Sequence, residues 1–113
     1  VRIIQKIVRK LSPIYVIATI RNLRKAGDFY TDDESRTVGW FTSLKQAINA
    51  VKNNYGDIIE CGYYQHAVIE RVWPGMYGTD VDQWRFTLDD THQKFIPCEK
   101  PEYTNQIVGF TMG

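Results

Sequence analysis

The sequence predicts a small α+β domain in which one main helix packs on one face of an antiparallel sheet, in the order β-β-α-β-β-β-β. One strong helix pattern lies near the middle of the chain, and short segments rich in β-branched and aromatic residues lie on both sides of it. The chain has 113 residues, of which 43% are apolar and 24% charged. These values are typical of one globular domain spanning 1–113.

The helix is predicted from Leu44 to about Tyr55. Its apolar residues recur at helical spacing and would share one face: Leu44, Ala47, Ile48, Val51 and Tyr55. Ser43 stands just before this pattern and Gln46 follows three positions later, which is the spacing of a capping box. Gly56 can adopt the left-handed conformation that ends a helix. A helix this short is stable only when its apolar face is covered, so a sheet should lie beneath it.

Two strands are predicted before the helix. The segment Ile14 to Arg21 is rich in β-branched residues on both of its faces, and Arg36 to Phe41 reads as a strand returning beside it. Turn and loop signals fill the interval from Asn22 to Ser35. The sequence therefore predicts a long hairpin.

Four strands are predicted after the helix. These segments alternate apolar and polar residues or carry β-branched runs between turn signals: His66 to Val72, Trp84 to Leu88, Lys94 to Cys98 and Gln106 to Thr111. Because proline cannot donate to a ladder, Pro97 confines its strand to an edge or to the strand's end.

The first residues of the chain are strongly basic. Residues 1–25 hold seven Lys or Arg and no acid, whereas the other seven bases and all 13 acids lie in the rest. The segment 1–12 is predicted to be a basic amphipathic helix packed on the domain, or else a non-native extension. The bases that would meet an anionic partner or nucleic acid are Arg2, Lys6, Arg9, Lys10, Arg24 and Lys25. A total net charge of only +1 disfavours a dedicated nucleic-acid-binding protein.

No segment has the length and apolar character of a membrane span or the pattern of a signal peptide. The sequence therefore predicts a cytoplasmic protein with both cysteines, Cys61 and Cys98, reduced. The spacing of these cysteines and of the two histidines does not match a zinc site, and no metal is predicted. The sequence also lacks a phosphate loop, a dinucleotide fingerprint and a nucleophile elbow, so no cofactor is predicted.

One place in the chain would suit catalysis. Cys61 and His66, with a nearby carboxylate, supply the residue types of a thiol enzyme, in which a base forms the thiolate and is itself oriented. No family signature surrounds Cys61, and a single cysteine beside glycine is more often a small buried residue. An enzyme is therefore the alternative, not the preferred interpretation.

The preferred interpretation is a small non-enzymatic binding protein, such as a regulator or inhibitor, that contacts a protein partner or a second copy of itself. Exposed aromatic residues flanked by charge suit such contacts because they bury much area at low entropic cost. The candidates are Trp40, Tyr63, Tyr64, Trp73 and Trp84. The alternative is that most of these rings belong to the core.

The centre of the chain resembles a known group of sequences. The residues that carry the resemblance are Phe41-Thr42-Ser43, Ala47, Val51, Asn54 to Ile58, Glu60, Tyr64 and Ala67 to Glu70. Over residues 37–72 the chain is similar to short uncharacterised proteins of bacteria and their mobile elements. That group carries no assigned activity, so the resemblance implies the capped helix and the following strand and assigns no functional residue.

Overall fold

The computed structural model describes residues 12–26, 29–32, 34–75 and 82–98. Within these ranges the chain forms seven strands and one α-helix. In chain order they are β1 (Ile14–Ile20), β2 (Leu23–Ala26), β3 (Phe29–Asp32), β4 (Ser35–Phe41), α1 (Leu44–Lys52), β5 (His66–Val72), β6 (Gln83–Asp89) and β7 (Lys94–Pro97). A short 3-10 turn, Tyr55–Asp57, follows α1.

Five of these strands form one antiparallel sheet in the order β4-β1-β5-β6-β7. The first described strand, β1, thus lies inside the sheet, between β4 and β5. With α1 on one face, this arrangement confirms a small α+β fold. The predicted last strand, Gln106 to Thr111, lies outside the described residues, as does the predicted basic helix at 1–12 apart from Ser12.

The connection between β1 and β4 is not a simple loop, and the prediction of one was wrong. β2 and β3 pair with each other as a separate two-stranded antiparallel sheet, with Leu23 opposite Asp32 and Ala26 opposite Phe29. The interval predicted as a loop therefore contains a small antiparallel pair of strands. Turn residues predict a reversal of the chain but do not show whether the flanking residues pair, which depends on their partners.

The start of α1 was predicted correctly and its end was not. Ser43 is the N-cap, and its Oγ accepts a hydrogen bond from the Gln46 backbone N–H at 3.4 Å. The helix ends at Lys52, earlier than the predicted Tyr55, because Asn54 takes the left-handed conformation at φ 51°. The Asn54 carboxamide holds this turn by accepting from the Ile59 N–H at 3.0 Å.

The core lies between α1 and one face of the sheet. Ala47, Ala50 and Val51 of α1 are buried against side chains from four strands: Ile17, Ile69, Phe86 and Phe95, among others. Because side chains alternate along a strand, residues of even number in β1 and β5 point to the other face. There Ala18, Ile20 and Val68 form a second buried cluster.

Glu70 lies on this second face and is fully buried. It accepts a hydrogen bond from Gln83 Nε2 at 2.8 Å, across the β5–β6 pair. A buried carboxylate needs such partners because its desolvation is costly.

Candidate functional site

β4 forms one edge of the five-stranded sheet and carries exposed aromatic residues beside it. β4 pairs with β1 on one side, and no other described strand lies on its outer side. An edge strand presents backbone N–H and C=O groups that another strand can pair with. The outer side of β4 is therefore a candidate binding surface.

A β-bulge shapes the middle of β4. Ile17 pairs with Gly39 and Ala18 with Thr37, so Val38 is the extra residue between them. A bulge bends the strand and re-aims its side chains. Here it turns Val38 toward the core side of the sheet, where it packs against the main hydrophobic cluster although it is only half-buried.

Two exposed aromatic rings flank this edge on opposite faces of the sheet. Trp40 pairs with Val16, which places it on the face away from α1, and it is 61% exposed. Tyr55, on the α1 side, is 53% exposed. Its hydroxyl accepts a hydrogen bond from Asn49 Nδ2 at 3.0 Å, which fixes the ring beside β4. A segment lying along the edge would thus meet one aromatic ring above it and one below.

Two adjoining cavities lie between β4 and the 3-10 turn. One has a volume of about 140 Å³ and reaches Gly39 and Trp40. The other is about 340 Å³ and reaches Arg36 and Gly56. Both are lined by the same three apolar side chains, Val38, Tyr55 and Ile58. We call this combined depression, with the outer side of β4 and Trp40, the β4 edge.

Arg36 is the charged residue at one end of the β4 edge. Its guanidinium lies 3.4 Å from the Glu60 carboxylate and 5.2 Å from the centre of the Tyr64 ring. Because both charged side chains are nearly half exposed, the ion pair adds little to stability. It does hold the arginine in place, with part of its surface still accessible.

The other aromatic candidates occupy different positions. Tyr64 is only 6% exposed and belongs to the core, and Trp84 is half-buried and packs against it. Trp73 is 54% exposed just after the end of β5. Tyr63 is 41% exposed, but its ring is held by the Arg21 guanidinium at 4.9 Å and meets the Tyr64 ring edge-on.

Tyr63 also donates a short hydrogen bond from its hydroxyl to Glu34. This hydrogen bond is the main reason why the pKa of Tyr63 is raised above its ordinary value. Arg21 lies 3.9 Å from the same carboxylate, so these groups form a local network at the end of β1. These contacts hold the Tyr63 side chain in place, which is a structural role.

Cys61 and His66 are not joined by a hydrogen bond among the described residues. Cys61 is exposed in a turn with φ 56°, and His66 is the half-buried first residue of β5. His66 pairs with Ile20 and Thr87 on the face away from α1, where burial lowers its pKa. No described carboxylate is hydrogen-bonded to the His66 ring, so nothing in the described ranges orients it as a base.

Most of the basic candidates lie outside the described residues. Arg2, Lys6, Arg9 and Lys10 lie outside the described residues, and for Arg24 and Lys25 the structure describes only the backbone of β2.

In the described ranges no three His, Cys, Asp or Glu side chains come together as a metal site would require. No helix within those ranges is long and apolar enough to cross a membrane.

The sequence pattern singles out Trp40, which is exposed, but it places Tyr55 on the apolar face of the helix and does not single out Val38 or Ile58. The signal that was available is the Asn53-Asn54 pair, since two poor helix formers before Tyr55 indicate that the helix stops short of it.

The comparisons with known proteins add no relationship. No family model, no curated protein and no solved structure matches this chain.

Proposed function

We propose that this protein is a non-enzymatic binding protein that takes up an extended segment of a partner protein along the β4 edge. The supporting observation is an edge strand with one exposed aromatic ring on each face of the sheet, Trp40 and Tyr55. In strand addition, backbone hydrogen bonds to the edge give affinity and alternate side chains give specificity.

The geometry of the β4 edge fits this mode. Successive side chains of an added strand point to opposite faces of the sheet. One would enter the cavities lined by Val38, Tyr55 and Ile58, and its neighbour would lie against Trp40. Aromatic residues are over-represented among the residues that dominate binding energy, which favours these two as anchors.

A selection from random peptides tests the proposal, because it samples many extended segments at once. The protein is screened against a phage-displayed library, and each selected peptide is synthesised with a fluorophore and titrated by anisotropy. We expect peptides with alternating apolar residues, whose affinity falls about tenfold or more in Trp40→Ala and in Tyr55→Ala, as for central anchors.

Trp73→Ala is the matched control, because Trp73 is exposed to a similar extent, 54% against 61% for Trp40, but lies outside the β4 edge. Equal losses in Trp73→Ala and Trp40→Ala would contradict the proposed site. A failure to select any peptide that distinguishes the wild type from the Trp40→Ala, Tyr55→Ala double variant would also contradict it. Sedimentation at rising concentration shows whether a second copy occupies the edge, since self-association would then depend on Trp40.

A further inference from the structure

Another cavity lies near the opposite edge of the sheet, beneath α1, where β7 ends before β6 does. β7 ends at Pro97, and the Cys98 N–H donates to the Arg85 carbonyl at 3.1 Å. β6 begins two residues before Arg85, at Gln83, so its first residues extend past the end of β7. A cavity of about 340 Å³ opens between this part of β6 and the helix.

The body of this cavity is apolar. It is lined by Ile48 of α1, by Trp84 and Phe86 of β6 and by Pro97. Phe86 is buried in the core, and the Trp84 ring is held by the Arg71 guanidinium, 5.1 Å from its centre, and by the Tyr15 ring, whose centre is 6.0 Å away. Because these neighbours already hold the rings, the cavity is preformed, as small-molecule sites usually are.

The charged residues that line the cavity are all basic. Lys52 lies four residues after Ile48 on α1, so the two side chains share a face of the helix at the cavity wall. Arg85 also lies at the wall, but its pairing with Val68 places its side chain on the face of the sheet away from α1, where it donates to Gln83 Oε1. Lys52 therefore supplies the charge on the α1 side of the cavity, and the described lining includes no Asp or Glu. Burial raises the pKa of the Cys98 thiol, so this wall residue is neutral and adds no negative charge.

We propose that this cavity binds a small amphipathic carboxylate, with its apolar body against Trp84 and Phe86 and its carboxylate directed to Lys52. The volume lies at the lower end of the range of about 300–1,000 Å³ found for small-molecule sites, which limits the ligand to a short chain or a single ring. The site is independent of the β4 edge, since β4 and β6 are separated in the sheet by β1 and β5.

Octanoate is the probe, and 1-octanol is its uncharged counterpart. Binding is followed by the fluorescence of Trp84 in a Trp40→Phe, Trp73→Phe background, since the two replaced rings are exposed and lie away from this cavity. We expect a saturable change with a Kd of about 1 mM or lower, and at least about fivefold weaker binding of octanol. Lys52→Gln should weaken octanoate about tenfold and leave octanol unchanged.

Lys45→Gln is the matched control, because Lys45 is an exposed lysine of the same helix that does not line the cavity. A second readout is the rate at which N-ethylmaleimide modifies Cys98 in a Cys61→Ser background, which octanoate should slow. The proposal is overturned if octanoate gives no saturable change up to about 10 mM. It is equally overturned if Lys45→Gln and Lys52→Gln weaken binding alike, or if octanoate leaves the Cys98 rate unchanged.

Discussion

Replacing Thr19 by valine should stabilise the protein, although Thr19 is fully buried in the middle of the sheet. Thr19 lies in β1 between Arg36 of β4 and Ala67 of β5 and is 0% exposed. Its Oγ1 has no hydrogen-bond partner among the described residues. A hydroxyl in this position has lost its water without gaining a replacement, which costs free energy in the folded state.

The expected gain follows from that cost. Leaving a buried polar group unpaired costs about 1–3 kcal/mol, and a methyl group of similar shape adds about 0.8 kcal/mol of apolar burial. We therefore expect Thr19→Val to raise the free energy of unfolding by about 1–3 kcal/mol. With a urea m-value of about 1–3 kcal/mol/M, the midpoint should rise on the order of 1 M.

Two further variants make the measurement specific. Thr19→Ser keeps the unpaired hydroxyl and removes the methyl group, so it should lower the free energy of unfolding by about 1 kcal/mol. Thr87→Val, at a half-buried position of β6, should change it by less than about 0.5 kcal/mol. A loss of stability in Thr19→Val would refute the reasoning, because it would mean that the hydroxyl is paired.

Three other predictions concern the helix cap, a turn and a histidine. Ser43→Ala should lower the free energy of unfolding by about 0.5–1 kcal/mol. This is less than the largest losses measured for N-cap substitutions, because the hydrogen bond from the Gln46 N–H to Ser43 Oγ is long, at 3.4 Å. Thr42→Ala, at the neighbouring position, should have little effect in the same urea titration. Gly56→Ala should destabilise the protein by about 1 kcal/mol, because the φ of Gly56 is +65°. Gly39→Ala should be neutral or slightly stabilising, because φ is not left-handed there and an added Cβ meets nothing within 4 Å. Thermal unfolding of both variants checks this contrast. Burial lowers the pKa of His66, so the unfolded state binds the proton more tightly, and stability that is present above the ordinary value of 6.5 should fall as the pH drops through it. His66→Gln should remove that part of the pH dependence in urea titrations at a series of pH values, and an unchanged slope would contradict it.

Local signals in the sequence predicted the local structure well. Ser43 marked the start of α1 because a cap depends on a few adjacent residues. Pro97 marked the end of β7 for a similar reason, since proline has no N–H to continue the ladder. The alternation of Trp84, Phe86 and Leu88 predicted a strand with an apolar face, and these residues do pack in or against the core.

The features that form the candidate sites depend on non-local geometry and could not be predicted in the same way. The bulge at Val38 arises from the pairing of β4 with β1; the adjacent Gly39 is a general signal for a bulge but does not fix its position or the direction in which Val38 points. The exposure of Tyr55 is the exception, because it follows from the adjacent left-handed Asn54, which stops the helix before Tyr55 reaches the apolar face and which the Asn53-Asn54 pair signals in the sequence. The cavity beneath α1 depends on the different lengths of β6 and β7, which alternation patterns locate only to within a few residues.

The position of β1 inside the sheet has a consequence for synthesis. β1 is the first described strand to leave the ribosome, yet Ile14 pairs with Val72, near the far end of β5. Pairing partners so distant in the chain slow folding, because a long loop must close before the contact forms. A nascent or cleaved chain that stops before β5 leaves one side of β1 open to strands of other molecules, so the domain is vulnerable to aggregation until that strand has been made.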